Sequence, residues 1–217
     1  MKTVIVSCKT LELELEAATN ALDINYPILW LESGLHSVPK KLKSRLQEIL
    51  DDIQADRVLL VMGFCGNSVQ DITAGDFELI IPRVDDCISL LIGSVEKRMT
   101  ISGQYDAYFL TEGWLRGERN LWVEHQYAVE KFGEEQAKEI GDAMYGHYRT
   151  LGLLDSGVSP IEHLVSKTEI IADTLNLKQQ VIPASTTYIK QLLTGPWPEE
   201  NFLIKAPQHT IKLEDLQ

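Results

Sequence analysis

The three cysteines of the chain each follow an apolar run, which is an unusual placement in a chain with so few of them. Cys8 closes TVIVSC, Cys65 follows VLLVMGF, and Cys87 follows FELIIPRVDD. Thiolates bind zinc and iron, and they are also the nucleophiles of thiol enzymes. A single buried cysteine is readily explained as a small core residue. Three cysteines in equivalent settings favour a shared functional site.

The apolar runs before the cysteines read as strands of a parallel sheet. Longer helical patterns alternate with short apolar runs at about residues 3–7, 27–32, 57–63 and 77–81. Such alternation is typical of an α/β fold with parallel strands. Ligands of these folds bind beyond the carboxyl ends of the strands, which lie about 4.8 Å apart. We therefore expect Cys8, Cys65 and Cys87 to converge on one metal ion or cluster.

A fourth ligand for such a site is His36, which follows the second predicted strand. An acidic side chain or a substrate would also fit the fourth position of a zinc site. The cysteines form no CxxC pair, so their spacing leaves both zinc and an iron–sulfur cluster open as cofactors.

Polar residues at other strand ends are candidates for binding a small-molecule ligand. Pockets often form between α/β lobes, so second-half residues are expected to face the cysteines across a cleft. The candidates are Asn67, Arg83 and Asp86 in the first half and Glu112, Trp114 and Asp155 in the second. Asp86, or its neighbour Asp85, is also well placed to cap the helix that DDCISLLIGS predicts.

The element order predicts parallel sheets with flanking helices, arranged as two Rossmann-like lobes around a cleft. Residues 1–100 form an N-terminal lobe that carries the cysteines, and residues 101–217 form a C-terminal lobe. The segment KRMTISGQYD reads as the connector between them, and a long polar helix is predicted over about residues 118–148.

The charge balance excludes several classes of partner. The net charge is −12, with 32 acidic against 20 basic residues. This disfavours nucleic acid and anionic membrane surfaces, which attract basic proteins. The N-terminal apolar run is short for a signal peptide, and no segment approaches the roughly 18 apolar residues of a membrane span. We expect a cytoplasmic protein with reduced thiols.

Short motifs spread over nearly the whole chain resemble those of one domain family. They are Cys8 after the first strand, LESGLH, PKKL, GFCGN, IPRVDDCISLLIGS, YFLTEGW, LGLLDSG and LLTGPWPEENFLIKAP. The family occurs in methanogenic archaea and anaerobic bacteria, often encoded near corrinoid-dependent methyltransferases. Its Cys-Gly-Asn triplet matches residues 65–67, and its Pro-Arg, acidic residue and cysteine match Pro82, Arg83, Asp86 and Cys87. The family often has histidine where this chain has Asp85, which weakens a ligand role for that position.

The resemblance implies a role in anaerobic one-carbon metabolism, with a corrinoid protein or methyltransferase as partner. Three functions remain open at this stage. The first is a metal or iron–sulfur protein that serves methyl transfer through Cys8, Cys65 and Cys87. The second is a metal-free thiol enzyme in which Cys65 or Cys87 attacks, the latter favoured by its place at a helix start. The third is an accessory protein that binds a small ligand.

Overall fold

The computed structural model describes residues 1–117 and 119–216. The first half of the chain forms a parallel sheet. Its strands are β1 (Thr3–Cys8), β2 (Ile28–Leu31), β3 (Arg57–Val61) and β4 (Glu78–Pro82). They stand in the order β2-β1-β3-β4, and every pairing among them is parallel. The parallel strands predicted for this half are therefore confirmed. The connecting helices are α1 (Glu12–Ala21), α2 (Pro39–Asp51), α3 (Cys87–Ile92) and α4 (Val95–Tyr105).

A second parallel sheet follows in the order β5-β6-β7. Its strands are β5 (Ala107–Leu110), β6 (Thr150–Asp155) and β7 (Lys178–Pro183). The helices that accompany it are α5 (Glu112–Leu115), α6 (Leu121–Phe132), α7 (Glu134–Tyr145) and α8 (Ile161–Thr174). The α/β class with parallel sheets and flanking helices is thus present in both halves.

The end of the chain returns to the first sheet. Helix α9 (Thr187–Thr194) packs on α1 and α3, and β8 (Phe202–Lys205) pairs antiparallel with β4. The boundary predicted from the sequence at residues 100/101 places both elements in the second lobe. The last residue of that predicted lobe, 217, lies outside the described residues. The apolar pattern of β8 gives no local indication of which sheet edge the strand joins.

Two helical segments differ from the sequence expectation. The expected connector KRMTISGQYD lies almost entirely within α4, a helix with no fully buried residue. Its partly buried Val95 and Ile101 pack against the core, and so small an apolar face is a weak helical pattern. The helix predicted over 118–148, whose first residue lies outside the described part of the chain, divides into α6 and α7. The break falls at Gly133, which has a positive φ of 83° that interrupts helical geometry.

The core of the first lobe fixes the carboxyl edge of its sheet. Every residue of β1 is buried, as are the last four residues of β3. A strand buried on both faces is held in a single register, because a one-residue slip would misplace every side chain. Among the helices of the described residues, none is both long and apolar enough to cross a membrane.

Candidate thiol site

The three cysteines converge at one point of the first sheet. Cys8 ends β1, Cys65 follows β3 in the next loop, and Cys87 begins α3. All three line one cavity of about 420 Å³, which we call the thiol cavity. It lies where the chain order reverses, because β2 and β3 flank β1 on opposite sides. Ligands of doubly wound sheets bind at this reversal.

A close backbone approach brings the loop after β3 against the start of α3. A Cβ atom added to Gly63 would lie 2.5 Å from backbone atoms of Asp86, so only glycine fits there. The amide of Phe64 donates to the Val84 carbonyl at 2.8 Å, and the amide of Cys65 donates to the Asp85 carbonyl at 2.7 Å. These contacts place Cys65 next to Cys87.

The backbone at Cys65 adopts a conformation that L-residues rarely take. Cys65, Gly66 and Asn67 have φ values of 43°, 67° and 62° in succession. Cys65 and Asn67, which flank Gly66, are non-glycine residues in this left-handed region, and each such conformation costs of order 1–3 kcal/mol. Strained residues of this kind concentrate at functional sites, where the surrounding structure holds them in place.

Cys87 is the central thiol of the cluster, since its side chain contacts those of both Cys65 and Cys8. The hydroxyl of Thr10 donates to the Cys8 sulfur at 3.0 Å. Contact with Cys87, together with burial, raises the pKa of Cys8 well above its usual range. Contact with Cys65, together with burial, likewise raises the pKa of Cys87, although contact with Cys8 opposes this. The thiolate-favouring helix start expected for Cys87 is thus outweighed by its thiol neighbour and by burial.

The thiols lie together in one cavity wall. Within residues 1–117 and 119–216, no three side chains of His, Cys, Asp or Glu already stand in a metal-binding arrangement. Thiols must lose their protons before they bind a metal.

His36 lies in the wall of the thiol cavity, in the helical turn Ser33–Ser37. Its Nδ1 is 2.6 Å from the Ser33 carbonyl, so the neutral ring carries its proton on Nδ1 and has the lone pair on Nε2. A backbone carbonyl partner of this kind is what orients metal-binding histidines. The Trp114 ring packs against His36 with centroids 5.3 Å apart.

Two aspartates border the thiols, and both are tied to neighbouring groups. Asp86 caps α3 by accepting from the Ser89 amide at 2.7 Å, which confirms the capping prediction. Burial raises the pKa of Asp86. Asp85 forms an ion pair with Arg98 of α4 and accepts from the Ser89 hydroxyl.

Comparison with known proteins identifies the family. The family model described as "Protein of unknown function (DUF1638)" matches residues 30–193, which is most of the chain. The chain belongs to the DUF1638 family. No curated protein and no solved structure matches it.

The structure gathers some of the site residues predicted for this DUF1638 chain and separates others. Six of the predicted residues line the thiol cavity together: Cys8, His36, Cys65, Asp86, Cys87 and Trp114. Asn67 is exposed, and Arg83 donates to the Asp215 carbonyl at 2.7 Å; neither lines the thiol cavity. Glu112 and Asp155 line a different and much smaller cavity.

Sequence reasoning missed Thr10 and Arg98. The Thr10 hydroxyl contacts a cysteine sulfur, and Arg98 pairs with an aspartate of the thiol cavity. Thr10 could have been found from its position two residues after Cys8. No sequence feature indicated a role for Arg98, because Arg98 lies in the segment KRMTISGQYD, which is predicted as a connector.

Proposed function

We propose that this DUF1638 protein binds a thiophilic metal, zinc or iron, through Cys8, Cys65 and Cys87. The observation that carries the proposal is the convergence of the chain's three thiols on one cavity at the reversal point of the sheet. Core cysteines scattered for packing would not be expected to meet at a ligand-binding edge.

The chemistry of the surrounding groups supports a metal centre. Thiolates suit zinc and iron, and His36 offers a lone pair on Nε2 as a fourth ligand. Burial of two of the thiols disfavours free thiolates, and a bound cation would remove that penalty by neutralising their charge. The Thr10 hydroxyl would remain as a hydrogen-bond donor to the Cys8 sulfur and tune its basicity.

The finer part of the proposal is a role in corrinoid-linked methyl transfer. Cys8, Cys65 and Cys87 would hold the metal, which would favour loss of the proton of a substrate thiol to solvent. The resulting thiolate would then attack a methyl group on a separate corrinoid protein, forming a carbon–sulfur bond while the cobalt–carbon bond breaks and leaves its electron pair on cobalt. The support for this step is the resemblance of the chain's motifs to a family encoded near corrinoid-dependent methyltransferases.

Anaerobic purification followed by elemental analysis tests the metal proposal. We expect about one equivalent of zinc in a colourless protein, or iron with broad visible absorption. Cys8→Ser and Cys65→Ser should each lose the metal, because they remove ligands of one site.

Ala18→Ser provides the matched control, because Ala18 is fully buried in α1 and does not line the thiol cavity. It should lose stability and keep the metal. Metal-free wild-type protein, or cysteine variants that lose stability independently with unchanged metal content, would contradict the proposal.

A second candidate, a metal-free thiol enzyme, is favoured by the strained conformation of Cys65. Cys65 is also the one half-buried thiol of the three, so a substrate reaches it first. This function predicts rapid alkylation of Cys65 at neutral pH in metal-free protein, with His36→Ala slowing the reaction and the exposed His163→Ala leaving it unchanged. Slow alkylation of Cys65 in folded protein would exclude this function.

A further inference from the structure

A second cavity adjoins the thiol cavity and shares part of its wall. This cavity, which we call the ring cleft, has a volume of about 530 Å³. His36, Asp86 and Trp114 belong to the walls of both cavities. Ligand pockets of small molecules have volumes of about 300–1,000 Å³. A ligand that meets the thiols therefore has room to extend into the ring cleft.

Aromatic rings dominate the ring cleft. Six rings of the described residues line it: Tyr108 and Phe109 of β5, His147 and Tyr148 from the segment before β6, and the shared His36 and Trp114. Phe, Trp and Tyr make up 7% of the chain but four of the twelve described residues that line the ring cleft, so this gathering is not a reflection of composition. Tyr108, Trp114 and Tyr148 are partly buried against the core and also line open space, so each leaves part of its ring free to contact a ligand.

The rings are held in fixed relative orientations. Tyr108 meets Tyr148 edge-on, with centroids 5.4 Å apart and an angle of 85° between the planes. His147 lies 4.0 Å from Tyr148 by centroid distance. Tyr108 also meets Tyr145 edge-on at 6.0 Å, which supports it from behind. Preorganised rings lose little conformational freedom when a ligand binds between or against them.

Within the part of the chain that the structure describes, Arg98, Asp86 and Asp106 are the Asp, Glu, Lys and Arg residues that line the ring cleft, and the two carboxylates outnumber the one guanidinium. Arg98 forms an ion pair with Asp85, and its Nε lies 4.0 Å from a carboxylate oxygen of Asp86. The guanidinium is thus compensated and does not by itself select an anion. Recognition in the ring cleft therefore depends chiefly on contact with ring faces and edges, for which flat unsaturated ligands are best suited.

We propose that the ring cleft binds the planar heteroaromatic part of a ligand whose other end reaches the thiols. The statement about the thiol end rests on the proposed function, whereas binding of a ring system in the ring cleft stands on its own residues. Stacking against Tyr148 and His147 provides the affinity, and the remaining donors of Arg98 orient a ring acceptor.

Titration calorimetry with three ring sizes tests this proposal on the full chain. The ligands are nicotinamide riboside, adenosine and riboflavin, which present one, two and three rings. We expect saturable binding of at least one of them at one site per chain. Tyr148→Ala should weaken that binding by about tenfold, the size of one lost stacking contact.

Tyr127→Ala is the matched control, because Tyr127 is an exposed ring on α6 that lines neither cavity. It should leave affinity unchanged. His147→Ala, which removes an exposed ring, should also weaken binding and serves if Tyr148→Ala does not fold. Absence of binding for all three ligands, or an equal loss in Tyr127→Ala, would overturn the proposal.

Two further measurements distinguish heteroaromatic binding from cation binding and from metal binding. Full competition by tetramethylammonium would show that the rings form a cation cage, and it would overturn the heteroaromatic assignment. Cys87→Ser should lose metal and keep ring binding, while Tyr148→Ala should keep metal and lose ring binding. Failure of the metal proposal alone would leave the ring titration intact.

Discussion

The carboxyl edges of the two parallel sheets carry very different sites. The edge of the first sheet holds the thiols beside a cavity of about 420 Å³. At the edge of the second sheet, Glu112 follows β5 and Asp155 ends β6, and both line a cavity of about 10 Å³. That volume admits about one water molecule. The second edge is therefore closed to a substrate, although its topology is equally suitable.

The closure of the second edge comes from its own charged side chains. Glu112 accepts from Lys167 at 2.6 Å and from Arg116 at 3.0 Å. Glu14 of α1 enters the same cavity and accepts from the Ser156 hydroxyl at 3.0 Å, which joins the two lobes. At the second edge these contacts fill the space beyond the strand ends, whereas the polar groups of the first edge leave an open cavity beside the thiols.

The two buried glutamates differ in their ionisation. Burial raises the pKa of Glu14, and the hydrogen bond from Ser156 offsets only part of this effect. Burial also opposes the ionisation of Glu112, but Lys167 and Arg116 outweigh it and lower its pKa. The second edge thus combines a carboxyl group whose pKa is raised with an ion-paired carboxylate whose pKa is lowered.

The largest expected effect comes from changing one carboxyl edge at a time. Cys87→Ser should reduce the affinity for metal by more than the 10–100-fold loss typical of outer-shell partners, because Cys87 contacts both other thiols. Glu112→Gln, at the other edge, should leave metal affinity unchanged. Competition with a chromophoric chelator measures both. Equal affinities for the two variants would remove the contrast between the edges.

The next effect concerns the backbone approach that the first edge requires. Gly63→Ala should lower the free energy of unfolding by about 3 kcal/mol, since its Cβ would overlap the Asp86 backbone. Gly103→Ala in α4 meets nothing within 4 Å and should raise stability by about 0.5–1 kcal/mol. Urea titration gives both values. A Gly63→Ala protein as stable as wild type would refute the tight contact.

A smaller effect is expected for the histidine of the thiol cavity. His36→Ala should weaken metal binding by at least about tenfold, because the loss of a ligand should cost no less than the loss of an outer-shell partner. His163→Ala changes an exposed histidine of α8 and should have no effect. Metal competition on the two variants decides the matter. A change confined to His163→Ala, or the same change in both, would exclude His36 as a ligand.

The smallest effect is a pH dependence at the second edge. The pKa of Glu14 is raised in the folded state, so its contribution to stability is fully present below the unfolded pKa, near 4.5, and declines as pH rises toward the folded value. Ionising Glu14 costs more in the folded protein than in the unfolded chain, and Glu14→Gln removes this cost. The stability of the variant relative to wild type should therefore be greater at pH 7 than at pH 4 by up to about 1 kcal/mol. Urea titrations at the two pH values compare the proteins. A difference from wild type that does not depend on pH would contradict the assignment.

The sequence predicted the first sheet well because its strands are continuous apolar runs between amphipathic helices. It also placed Cys8, Cys65 and Cys87 at one edge, since parallel strands share a carboxyl edge. It missed α4, which has only a small apolar face, and the return of β8 to β4, which depends on contacts distant in sequence. The burial of Glu14 was equally invisible, because LELELE reads as a solvated helix face until Ser156 is brought against it.

The most direct test of the central claim is X-ray absorption at the metal edge of protein purified without air. The account predicts that a zinc- or iron-loaded wild-type protein shows about three sulfur neighbours, at about 2.3 Å if the ion is zinc. A first shell of only nitrogen and oxygen, or a sample without metal, would contradict the claim that the three cysteines form one metal site.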